Sequence, residues 1–163
     1  MNEAQQYVGT DETSGGLQLE LLKREGCVPS SKVLDIGCGC LSAGLPIMRY
    51  LDIGNYVGIE PNRWLIEAAL ESEEDKAIFV GKNARILFRD DFNASEIGTR
   101  FDFVLAHSVL SHAAHWQLGQ FLGNSASVLG PWGKIMASIR LAEGNAWGSV
   151  GSVDKDDSKQ ETW

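Results

Sequence analysis

Five short apolar runs recur along this chain, SKVLDIG, NYVGIEPN, ARILFRDDF, FDFVLAHSV and KIMASI, and between them lie stretches with helical spacing. Runs apolar on both faces, alternating with amphipathic helices, are what a parallel sheet covered on both sides requires. The expected class is therefore α/β. LQLELLKRE puts Leu17, Leu21 and Leu22 on one side of a helix that stops near Gly26. SAGLPIMRYL is compatible with a helix because Pro46 falls in its first turn, where a missing amide hydrogen costs little. Pro61 halts the second run, and Asn62 is placed to cap a helix through Ile66, Ala69 and Leu70. SHAAHWQLGQFLGNSASVLG makes a further helix with Leu118, Phe121, Leu122 and Leu129 on its buried face, and GPWG turns the chain into KIMASI. At 163 residues the whole chain, 1–163, suits one domain. Residues 1–15 are expected to form a polar, flexible arm and 141–163 a mobile tail.

Composition narrows the partners. The formal charge is -8, and lysine and arginine gather nowhere, which argues against nucleic acid and against an anionic membrane surface. No basic segment leads into an apolar one at the N-terminus and no uncharged stretch reaches spanning length, so a cytoplasmic location is expected. The three cysteines, Cys27, Cys38 and Cys40, do not make a disulfide framework. Cys38 and Cys40 share one turn, but nothing completes a four-ligand zinc site, and no metal is expected.

The first strand runs directly into VLDIGCGC. In a parallel sheet the ligand sits outside the carboxyl ends of the strands, where the first turn meets its helix. Gly37 and Gly39 stand there, able to bend sharply and to let a ligand lie against bare backbone. Glu60 follows about twenty residues on, at the end of the second strand, where a carboxylate can accept from both ribose hydroxyls. An adenosine-like ligand follows from the pair. A dinucleotide turn has a third glycine; here Ser42 occupies that place, and Asp35 would face a pyrophosphate unfavourably while suiting a ligand with an amino group or a positive sulfur.

The ordered set VLDIGCGC, GIEPN, RDDF, FDFVLAHSVLSH and LGPWGKIMASI resembles the motifs of the class I S-adenosylmethionine-dependent methyltransferases, over residues 17 to 140. The resemblance implies a Rossmann-like three-layer αβα sandwich with strand order 3-2-1-4-5, the C-terminal strands six and seven missing. It implies S-adenosyl-L-methionine as cofactor, with Asp35, Gly37, Cys38 and Gly39 at its methionine end, Glu60 on the ribose, and Pro61 and Asn62 near the adenine edge. Either Asp90 or Asp91 would take the adenine amino group, with Phe92 beside it. Ala106, His107 and Ser108 would line the floor below the reactive methyl.

All three histidines, His107, His112 and His115, fall after the fourth strand. His107 is the first candidate for a catalytic base, by place and titration range; His112 is a weaker acceptor-facing candidate and His115 reads as surface. Trp64, Trp116 and Trp132 read as packing and turn residues. No NPPY or DPPY follows the fourth strand, which with the acidic charge favours a small-molecule methyl acceptor. KIMASI is apolar along its length, yet one of its edges would lie open. A truncated chain, a second copy or another partner covering that edge is expected. The alternatives are a cofactor-binding module without turnover and a nicotinamide-dependent oxidoreductase, the latter disfavoured by Asp35 and Ser42.

Overall fold

The computed structural model describes residues 12–110 and 113–139. Five parallel strands form one sheet in the order β3-β2-β1-β4-β5: β1 Val33–Ile36, β2 Tyr56–Ile59, β3 Arg85–Leu87, β4 Phe101–Ala106 and β5 Leu129–Ala137. The helices are α1 Glu12–Arg24, α2 Gly44–Tyr50, α3 Arg63–Ala69, α4 Glu73–Gly81 and α5 His115–Val128.

Alternation along the strands sorts their side chains into two cores, one on each face. On one face Val33, Tyr56, Phe103 and Leu105 pack with Leu22 of α1 and with Ile47 and Met48 of α2. On the other, Leu34, Ile36, Val57, Ile59 and Val104 pack with Phe121 and Val128 of α5. The sheet is thus covered on both sides, as a Rossmann-like three-layer sandwich is. Burying one such Leu, Ile or Phe side chain contributes about 1.5–3 kcal/mol, and the two cores hold the strand ends in place.

Several helical details depart from the sequence reading. α1 begins at Glu12, so Gly15 and Gly16 lie inside it and do not close a loose arm. Leu17 is 65% exposed and Leu21 48%, and the buried stripe is Gly15, Gln18 and Leu22. A Cβ on Gly15 would run into the Ser42 carbonyl oxygen. The helix therefore touches down backbone to backbone on the segment after β1, a contact that leucines cannot make. Gly26, with φ +99°, ends the turn after α1 as expected.

In α5 the buried positions are Phe121, Ser125 and Val128, while Leu118 and Leu122 are exposed and Leu129 already belongs to β5. Helix α4 was not foreseen. It starts where the Ser72 hydroxyl accepts from the Asp75 N–H at 3.3 Å, and its first turn holds Glu73, Glu74 and Asp75, the charge sign that the helix dipole favours there.

GPWG is not a turn ahead of the last strand but a bulge within it. Phe101 pairs with Leu129 and Phe103 with Lys134, so a step of two along β4 matches a step of five along β5. Trp132, in that bulge, is 93% exposed, and Trp64 and Trp116 are also at the surface, so none of the three packs in the core. Among the described residues β5 is an edge strand. Of the arm expected over 1–15, residues 12–15 are helical and 1–11 lie outside the described residues, as do His112 and the tail over 141–163.

Candidate functional site

The carboxyl ends of β1, β2 and β4 converge on the glycine turn. Gly37 has φ +69° and Gly39 φ +51°, a region in which a Cβ is costly. Gly37 N–H and Cys38 N–H both donate to the Ile59 carbonyl, at 2.8 and 3.2 Å, so the turn folds back over the end of β2. A cavity of about 60 Å³ opens beside it, lined by Asp35, Gly37, Cys38, Gly39, Cys40, Ser42 and Ala43, with Gln18 from α1 and with His107 and Ser108 from the end of β4. That volume takes the end of a ligand and not a whole nucleoside. The rest would lie outward across the turn.

Two buried carboxylates flank the turn. Asp35, 3% exposed, accepts from the Tyr56 hydroxyl at 2.8 Å. Burial pushes its pKa up to about 7, the Tyr56 hydrogen bond opposes this, and the neighbouring Glu60 adds to it. Glu60, also buried, accepts at Oε2 from the Gly39 N–H at 3.0 Å. Its Oε1 accepts from the Asn62 backbone N–H at 2.8 Å and from Asn62 Nδ2 at 3.0 Å. Burial raises the Glu60 pKa, and the bonds from Asn62 and Gly39 hold it down. Asn62 stands at the start of α3 as expected, but its side chain turns to Glu60 instead of capping the helix. A carboxylate offers about four acceptor sites, so one remains on Glu60 and a second is freed if the Asn62 amide swings away.

Among the described residues neither Asp35 nor Glu60 is in an ion pair. Two desolvated acids without a cation beside bare glycine backbone fit a cationic ligand that carries a ribose. The donor set thus suits S-adenosylmethionine and offers no positive group to a pyrophosphate. Burial raises the Cys38 thiol well above its ordinary range, so Cys38 is a neutral packing residue against Gly58. No group of three or more His, Cys, Asp or Glu suited to a metal occurs among the described residues.

The remaining expected residues divide. Pro61 is half-buried beside Glu60, and Asp90 is exposed at the exit of β3. The Asp91 carboxylate is engaged by Arg89, with Nε to Oδ1 at 2.6 Å and Nη2 to Oδ2 at 2.7 Å, and it accepts from the Asn93 N–H at 3.1 Å. The Arg89 guanidinium holds the Asp91 carboxyl below its usual range. Phe92 departs from its expected place beside adenine. Its φ is +56°, and its ring is wholly buried in the core facing α5, edge-on to Phe121 at 5.9 Å. Ala106 is buried in that core too, and its carbonyl accepts from the Ser138 N–H at 3.1 Å. His107 is exposed, and the Ser108 N–H donates to Ser138 Oγ at 2.6 Å.

Gln18, Cys40 and Ser42 line the cavity without having been singled out as contacts in the sequence. For Gln18 the signal was present: a polar residue one turn before Leu22, on the face that packs. Gln18 and His107 also line a second cavity, of about 720 Å³, between α1 and β5, whose walls include Leu21, Leu105, Ile135 and Met136.

The methyltransferase domain family matches residues 34–135, and the chain belongs to that family, the class I S-adenosylmethionine-dependent methyltransferases. No curated protein matches the sequence. Among solved structures the chain is similar to magnesium protoporphyrin IX methyltransferase from Synechocystis with bound S-adenosylmethionine, at 18% identity and TM-score 0.57, over 79% of this chain and 60% of that one. It is similar to the glycopeptide N-methyltransferase MtfA at 18% identity and TM-score 0.63, over 82% of this chain and 56% of the other. A third is an S-adenosylmethionine-dependent methyltransferase from Clostridium acetobutylicum, at 16% identity and TM-score 0.61, over 80% and 51%. The chain thus spans between half and two thirds of the length of these structures. At such identities the likeness is one of fold.

Proposed function

We propose that this domain binds S-adenosyl-L-methionine across the glycine turn and transfers its methyl group to a small-molecule acceptor. The observation that carries the reading is the pair of buried carboxylates, Asp35 and Glu60, on either side of Gly37 to Gly39, neither in an ion pair among the described residues. Asp35 would face the cationic methionine end and Glu60 the ribose hydroxyls, with Gly37, Cys38 and Gly39 supplying backbone contacts. Pro61 and Asn62 would border the adenine. Asp90 or Asp91 would take the adenine amino group.

When bound, the cofactor supplies a methyl group on a positively charged sulfur, already activated for in-line displacement. The chain's own contribution is position: holding reactants aligned can lower a barrier by about 7–11 kcal/mol. His107 and Gln18 stand where the small cavity meets the larger one, so an acceptor reaching the methyl group passes between them. His107 would take the acceptor's proton, an effect worth about a hundred- to ten-thousand-fold in rate. The net charge of -8 supports a neutral or cationic small molecule over nucleic acid. A cytoplasmic setting accords with this, and no helix of the described residues is long and apolar enough to cross a membrane. A second copy or another partner would cover the edge of β5.

Isothermal titration calorimetry with S-adenosylmethionine, S-adenosylhomocysteine and NAD tests the reading. Binding of the first two and not the third is expected; binding of NAD alone, or of none, overturns it. Release of S-adenosylhomocysteine in the presence of an acceptor panel then separates an enzyme from a binding module.

A further inference from the structure

Resting on that reading, we propose that Tyr56 is a positioning residue: its hydroxyl, seated beneath the glycine turn, holds the Asp35 carboxylate in the orientation and charge state that a cationic ligand needs. Tyr56 lies opposite Val33 in the sheet, two positions before the place beside Asp35, and that place belongs to Gly58. Because Gly58 has no side chain, the Cys38 thiol fills the space, and a Cβ there would come within 2.7 Å of the sulfur. Gly44, at the start of α2, is bare as well, and a Cβ on it would stand 2.5 Å from the Tyr56 hydroxyl. The bare backbone at Gly44 therefore leaves the room into which the phenol reaches from the bottom of β2 to the top of β1. Its oxygen arrives 2.8 Å from Asp35 Oδ2.

Asp35 also lines the small cavity, so the bond fixes the carboxylate at that wall. Phenylalanine would fill the same core position without a polar atom to satisfy, so packing alone does not explain the hydroxyl. The groups around Asp35 make the donation consequential. Glu60 adds a like charge, Cys38 is a neutral thiol, and β4 contributes apolar Leu105 alongside. Uncharged Gln18 lines the shared cavity from α1, and exposed His107 lines it from the end of β4. Among the described residues the Tyr56 hydroxyl is the side-chain donor on Asp35, and without it the charged form loses its one charge-assisted bond.

The test is the affinity of Tyr56→Phe and of the wild type for S-adenosylhomocysteine, by calorimetry from pH 6 to pH 9. The ligand's own titration is common to both proteins and cancels in the ratio. Wild-type binding should weaken as the pH falls below about 7, where Asp35 takes up its proton. The variant should bind about tenfold more weakly than wild type, or worse, at pH 6, with the gap closing toward pH 9 as the carboxyl ionises regardless. In an Asp35→Ala background, where the hydroxyl has no side-chain acceptor at position 35, Tyr56→Phe should leave affinity unchanged. A loss that is the same at every pH, or one that persists without the Asp35 carboxyl, overturns the inference and makes Tyr56 a packing residue. If wild type binds neither cofactor form at any pH, the functional reading falls and this inference with it. Should Tyr56→Phe not fold, carbon-13 titration of the Asp35 carboxyl in wild type and in Tyr56→Leu decides: the midpoint should be higher in the variant, and an unchanged or lower one refutes the arrangement.

Discussion

Asp35→Asn should make the ligand-free protein more stable at neutral pH while removing the charge that the ligand needs. In the folded chain Asp35 titrates at about 7, against 3.8 for the ordinary group, because burial disfavours its charged form. The folded state therefore holds a proton that the unfolded state releases, so stability is greatest below pH 4, falls as the pH rises toward 7, and is level above that. The gap of about three pH units corresponds to roughly 4 kcal/mol at about 1.4 kcal/mol each. An asparagine carbonyl can still accept from the Tyr56 hydroxyl, but its amide is buried in place of a neutral acid. We therefore expect about half the full effect, roughly 2 kcal/mol above pH 7. For a chain of this size that is about 4–8 °C in melting temperature. Thermal unfolding by circular dichroism from pH 4 to pH 8, without ligand, is the assay: the variant should be the less stable protein at pH 4, by up to about 2 kcal/mol, and the curves should cross between pH 4 and pH 7 and leave the variant ahead above pH 7. A variant less stable than wild type at pH 8, or a difference that ignores pH, would refute the account of Asp35 as a desolvated acid.

Three further outcomes are expected. Glu60→Ala should weaken S-adenosylhomocysteine binding about thirty- to a hundred-fold, or roughly 2–3 kcal/mol, by calorimetry; a change under about threefold means that Glu60 does not hold the ribose. Gly58→Ala places a methyl group 2.7 Å from both Cys38 Sγ and Ile86 Cδ1, and should cost about 1–3 kcal/mol in urea unfolding; no loss would show that the space is roomier than described. Ser125→Ala should be neutral or stabilising by about 1 kcal/mol, because its buried hydroxyl has no hydrogen-bond partner among the described residues; a clear loss in the same assay would reveal a hidden partner.

What could be read in the sequence was what is local. VLDI, YVGI and FDFVLA are apolar on both faces because both faces are covered, so the class of sheet followed from them, and the resemblance supplied the strand order. The glycine turn and Glu60 announced themselves because few other residue types can occupy a left-handed bend or a strand end beside it. The helix faces were misjudged for a physical reason: large apolar side chains drew the eye to Leu17, Leu21, Leu118 and Leu122. The buried positions are instead Gly15, which meets the Ser42 backbone after β1, with Gln18 and Leu22, and in α5 Phe121, Ser125 and Val128. Phe92 shows the limit of position by motif. Its backbone is left-handed and its ring lies wholly buried in the core facing α5, and no spacing rule gives the sign of φ. The Tyr56 to Asp35 bond joins residues on neighbouring strands through space left at Gly44, in a helix, which no local pattern encodes.

Because Gly15 rests directly on the Ser42 carbonyl, the loop that would grasp a ligand and the first helix are geared together. With backbone against backbone there is no side chain between them to yield, so a shift of either must be met by the other. The width of the cleft is thus tied to where the first helix sits.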